Sequence, residues 1–77
     1  MNTQTYNGRT YILSNDPPKL LEPYMLVRKN GTFIIEPNFG TCIFVCLGVE
    51  GNNIYYGDGD YKSHKMFCKK IIGCSSK

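Results

Sequence analysis

The stretch Thr41-Cys42-Ile43-Phe44-Val45-Cys46-Leu47-Gly48-Val49 decides how the rest of the chain is read. Side chains alternate across a β-strand, so Ile43, Val45, Leu47 and Val49 share one face while Cys42, Phe44 and Cys46 share the other. Apolar residues on both faces predict a central strand with little contact with water. Pro37-Asn38-Phe39-Gly40 reads as a turn before it and Gly51-Asn52-Asn53 as a turn after it.

Further upstream, residues 24–28 and 32–36 read as strands joined at Asn30-Gly31, a pair that accepts the left-handed backbone of a tight hairpin. Tyr11-Ile12-Leu13 reads as a short first strand after an Asn7-Gly8 turn, with residues 1–6 as a flexible tail. Pro17, Pro18 and Pro23 make residues 14–23 a loop, in which 17–23 has room for one helical turn. Downstream, Ile54-Tyr55-Tyr56 and residues 65–72 complete the set. Six short strands without a long helix predict an all-β, single-domain small barrel, SH3-like or OB-like, because closure protects edges that an open sheet exposes. A compact α+β fold with a helix in the proline-bearing loop is the alternative.

With 77 residues, the chain has room for one small domain that buries about 60% of its unfolded surface. That length excludes a two-domain enzyme and a nucleotide-binding α/β fold of ordinary size. Six Tyr and four Phe argue against disorder. The formal charge of +3 is unevenly spread. Residues 1–60 carry four cations against six carboxylates, whereas 61–77 carry Lys62, Lys65, Lys69, Lys70 and Lys77 with no acid. A basic segment of this kind steers a domain toward phosphate, an anionic surface or an acidic protein, or else it is a lysine-guarded edge strand.

No apolar run approaches the ~18 residues of a membrane span, so no membrane partner is expected. Met1-Asn2-Thr3-Gln4-Thr5 lacks the basic start and apolar stretch of a secretory signal, which predicts a cytoplasmic protein. Thiols stay reduced there. On one strand Cys42 and Cys46 would lie about 13 Å apart, beyond disulfide reach. The Cys-x3-Cys and Cys-x5-Cys spacings do not match zinc knuckles. Cys42, Cys46 and Cys68 are therefore expected as small apolar core residues. No cofactor and no metal is implied.

Catalysis has little to stand on. His64 is the only histidine, and a Cys-His nucleophile pair needs it in hydrogen-bond reach with a third orienting group. Asp58-Gly59-Asp60 lacks the glutamate of a calcium loop and reads as a hairpin turn. No phosphate-binding glycine loop or nucleophile elbow occurs. A non-enzymatic protein is expected.

The candidate binding residues are Tyr55, Tyr56, Asp58, Asp60, Tyr61, Lys62, His64 and Lys65. Tyrosines separated by Gly, Ser and Asp supply contact area at low entropy cost on an adaptable loop. Tyr55 and Tyr56 face opposite sides of a strand, so one enters the core and the other joins Tyr61 at the surface. Tyr56→Ala and Tyr61→Ala are then expected to weaken binding without moving the thermal transition. The same tyrosines and lysines could instead stack bases and track phosphates.

Tyr11-Ile12-Leu13-Ser14-Asn15-Asp16 followed by Pro17-Pro18-Lys19, together with Cys68-Lys69-Lys70-Ile71-Ile72-Gly73, resembles segments of small uncharacterised phage and prophage proteins. The match covers about a fifth of the chain, and the chain departs from the pattern at Tyr24-Met25 and Gly73-Cys74. The resemblance implies a viral protein acting in the host cytoplasm. The functional expectation is a phage-encoded binding module that engages and inhibits a host protein of defence or replication. The alternatives are a nucleic-acid- or nucleotide-binding barrel and a virion or homo-oligomeric structural protein.

Overall fold

The structure is a computed structural model that describes residues 2–75. It contains β1 (Asn2–Tyr6), β2 (Arg9–Leu13), β3 (Pro23–Leu26), β4 (Ile43–Val45), β5 (Gly48–Glu50), β6 (Asn53–Tyr56), β7 (Tyr61–His64) and β8 (Cys68–Ser75). One turn of 3-10 helix, Lys65–Phe67, leads into β8. The strands make a five-stranded sheet in the order β1-β2-β8-β3-β4 and a three-stranded meander β5-β6-β7. All pairings are antiparallel. The all-β expectation holds, with eight strands instead of six. The pairing leaves β1, β4, β5 and β7 as edges, so it does not by itself close a barrel.

Residues 2–6 form β1, paired along its whole length with β2, where the sequence suggested a tail. Asn7 and Gly8 have φ of 53° and 78°, the mirror-image turn that matches strand twist and joins two strands directly. The polar run Asn2-Thr3-Gln4-Thr5 hid the strand, because it buries almost nothing. Its anchor is Tyr6, whose ring meets Phe33 edge-on at 5.3 Å.

Alternation along Cys42–Val49 is as expected: Cys42, Phe44 and Cys46 are buried. Its position is not. The segment splits into β4 and β5, each an edge strand, and its outer face meets water. The break falls at Leu47, whose N–H donates to the Tyr55 carbonyl at 2.9 Å and carries the chain from one sheet to the other. Residues 32–36 are an arm and not a strand, tied by the isolated bridges Val27–Phe33 and Glu36–Thr41.

No helical turn forms in 17–23. The Glu22 N–H donates to the Lys19 carbonyl at 2.9 Å, and Leu21 has φ of 67°. A left-handed third residue makes this a β-turn, a costly conformation for a bulky L residue. The Glu22 carboxylate caps the turn by accepting from the Lys19 N–H at 2.7 Å.

One core spans both sheets. It joins Leu13, Tyr24, Met25, Leu26, Val27 and Cys68 to Phe44, Ile54, Tyr56, Cys42 and Cys46. Tyr24 is fully buried, and among the described residues its hydroxyl has no hydrogen-bond partner. Burial, followed by the nearby Cys68 and Cys46 sulfurs, drives its phenol far above the ordinary value.

Candidate functional site

The expected binding residues lie on the β6–β7 hairpin, but they do not form one surface. Tyr56 and Tyr61 are cross-strand partners, so both project to the same side. Tyr56 is buried and stacks with Tyr61 at 5.9 Å. Phe39 meets Tyr56 and Tyr61 edge-on at 5.9 and 5.1 Å, and Phe44 lies 4.5 Å from Tyr56. Tyr61 therefore packs against the core instead of joining Tyr55 outside. Tyr56→Ala would remove a buried aromatic, a change of about 3–5 kcal/mol, so the expectation of an unmoved thermal transition is corrected for that residue.

Two strong hydrogen bonds hold the tyrosines. The Tyr56 hydroxyl donates to Glu36 Oε2 at 2.7 Å, and burial with this bond pushes its pKa up to about 12. On the outer face the Tyr55 hydroxyl donates to Glu50 Oε1 at 3.0 Å, which raises its pKa. Lys62, the cross-strand partner of Tyr55, sits 5.9 Å over its ring.

Asp58 and Asp60 are exposed in the turn, where Gly57 and Gly59 adopt φ of 67° and 89°. His64 is exposed and accepts from the Met66 N–H through Nδ1 at 3.1 Å, capping the 3-10 turn. Lys65, at the other end of β7 from the Asp58–Asp60 turn, lines a groove of about 450 Å³ with Lys19, Leu20, Val49 and Lys70. Lys69 lines a different cavity, so the basic segment is split between two faces; Lys77 falls outside the described residues. Among the described residues, no three His, Cys, Asp or Glu side chains gather as a metal set. No helix among them is long and apolar enough to cross a membrane.

A different surface carries the unexplained exposure. Leu20 and Leu21 are 62% and 70% exposed at the tip of the strained turn. The Leu21 N–H donates to the Cys46 carbonyl at 2.7 Å, and the Cys46 N–H donates to the Glu22 carbonyl at 2.9 Å. This pair of bonds fixes the turn beside Val45 and Leu47, which are each roughly half exposed, as is Val49. The four sheet edges differ in chemistry. β1 and β7 are polar apart from their tyrosines, and β7 carries Lys62, a usual guard against strand pairing. β4 and β5 present apolar side chains outward and contain no lysine.

Alternation put Val45, Leu47 and Val49 together, but two-sided apolarity read as burial. Leu20 and Leu21 are not legible as a surface in the sequence, because Pro18 and Pro23 on either side mark them only as a loop. Compared with protein-family models, curated proteins and solved structures, the chain has no match.

Proposed function

We propose that the chain is a non-enzymatic protein-binding module whose docking surface is the β4–β5 edge with the Leu20–Leu21 turn. The observation that carries this reading is Leu21, a bulky apolar residue held at φ 67° with its side chain in water. Glycine would hold that backbone without strain, and a polar residue would suit the exposure. Strain retained at a surface position points to a role for the side chain. Leu20, Val45, Leu47 and Val49 extend the apolar surface along two edges that contain no lysine and whose one charged residue, Glu50, stands at the far end of β5.

The partner is a protein segment that adds as a strand, with apolar residues toward Leu21 and Leu47 and carboxylates toward one end. Lys19, Lys65 and Lys70 line the groove beside Leu20 and Val49 together with Asp16, and Lys70 is paired with Glu22, which leaves Lys19 and Lys65 as the cations for a partner's carboxylates. With the resemblance to small phage proteins, the partner reads as a host protein whose action the domain blocks.

The test is affinity capture from bacterial lysate with nuclease-treated controls, repeated with Leu20→Ser and Val49→Asp. A stoichiometric protein that survives nuclease and is lost at least tenfold in both variants, with Tm unmoved, is the expected result. Equal recovery by the variants would remove this surface from the argument. Nuclease-sensitive recovery would favour nucleic acid, and a concentration-dependent particle size without a partner would favour self-assembly.

A further inference from the structure

A second cavity, of about 340 Å³, opens at the other side of the five-stranded sheet, where β1 begins and β2 and β3 end. Arg28, Lys29 and Lys69 line it, and no carboxylate does among the described residues. Six carboxylates in the chain could have balanced these cations. The only ion pair among the described residues is Lys70 with Glu22, elsewhere in the fold.

Arg28 is held in place. Its Nη1 donates to the Phe33 carbonyl and reaches Thr32 Oγ1 at 3.4 Å, which leaves the remaining guanidinium N–H groups for another acceptor. Amides line the same cavity. The Asn2 side-chain N–H donates to Asn15 Oδ1 at 2.8 Å, which leaves the Asn2 oxygen and the Asn15 amino group as a neighbouring acceptor and donor. A single Asn amide reads the N6 and N7 edge of adenine with its own amino group and oxygen, and here an acceptor and a donor are offered by two neighbouring residues. Leu13, Val27 and Met66 complete the lining with apolar surface. The volume lies at the small end of ligand sites, which are mostly apolar with a few placed polar groups.

We propose that this cavity binds a purine nucleoside monophosphate. The phosphate sits against Arg28, Lys29 and Lys69, and the base edge pairs with Asn2 and Asn15 over Met66. The cavity takes one nucleotide. A longer strand would have to cross Arg28 and Lys29 into the shallower depression formed by Ile34 and Phe67. This site is separate from the apolar docking edge.

The experiment is amide chemical-shift titration of the isotope-labelled chain with AMP, with adenosine, with inorganic phosphate and with a ten-residue oligo(dA). AMP should shift Asn2, Asn15, Arg28, Lys29 and Lys69 together, and bind at least tenfold more tightly than adenosine or phosphate alone. Lys69→Ala and Asn15→Ala should each weaken AMP at least fivefold while leaving the spectrum otherwise native. Absence of AMP shifts at these residues would overturn the proposal, and so would equal binding of phosphate and AMP. If the oligonucleotide bound far more tightly than AMP, with a salt slope of several phosphates, the single-nucleotide site would also be overturned.

Discussion

The Tyr56 hydroxyl and the Glu36 carboxylate, 2.7 Å apart, tie the meander to the arm that crosses in front of it. Tyr24 has a phenol in the same core with no such partner among the described residues. The two tyrosines should respond to the same substitution in opposite directions. Tyr56→Phe loses a hydrogen bond to a charged group and should cost about 1.5–3 kcal/mol. Tyr24→Phe removes an unpaired buried hydroxyl and should stabilise by about 1 kcal/mol, or about 4–8 °C in Tm for a domain of this size. Paired thermal melts check both signs.

Gly57 and Gly59 occupy the same turn with similar left-handed backbones, but their surroundings differ. A Cβ at Gly57 would lie 2.5 Å from Phe39 Cζ, whereas one at Gly59 meets nothing within 4 Å among the described residues. Gly59→Ala should cost about 1–2 kcal/mol for the backbone alone. Gly57→Ala should cost more, and it should shift the Phe39 and Tyr61 ring resonances. Equal losses in denaturant unfolding would show that Phe39 moves aside freely.

Burial first, then the Cys46 sulfur, pushes the Cys68 thiol up to about 12, and burial raises Cys42 as well. In the unfolded chain such thiols ionise near 9.0. Above that pH the folded chain holds more protons than the unfolded one, so stability falls as pH rises. The Cys68 contribution is complete below pH 9 and is lost between 9 and 12, at about 1.4 kcal/mol per pH unit for each retained proton. Urea melts at pH 8 and pH 10.5 should show a lower midpoint at the higher pH. At pH 8, a thiol reagent should label exposed Cys74 rapidly and the three buried cysteines only on unfolding.

Leu21→Gly isolates the strain in the exposed turn. Relief of the left-handed leucine should stabilise the domain by about 1 kcal/mol, while partner capture is lost with the side chain. A variant that melts higher and still captures the partner would leave Leu21 without a binding role.

Much of the architecture was legible in local chemistry. Asn7-Gly8, the alternation through Cys42–Val49 and the prolines of 17–23 mark real turns and faces. What could not be read depends on which strand lies next to which. The polar residues of β1 gain their place from backbone pairing, which leaves little trace in side-chain pattern. Loop membership suggests exposure for Tyr61, whereas its register opposite Tyr56 turns it inward. The candidate surface was hidden for the converse reason: Val45, Leu47 and Val49 look like core until the edge position of their strands is known.

The place of β8 between β2 and β3 has a kinetic consequence. Neighbours along the chain build the β1–β2 hairpin and the β5-β6-β7 meander, so their closure is fast. The larger sheet has to wait, because Leu13 meets Ile71 and Leu26 meets Cys68 only after most of the chain has been gathered. Closing those long loops sets the rate, and the domain belongs with the slower-folding β proteins despite its small size. Until residues 68–75 dock, Met25, Leu26 and the buried cysteines remain open to solvent, and the nascent chain is most vulnerable to misassociation in that interval.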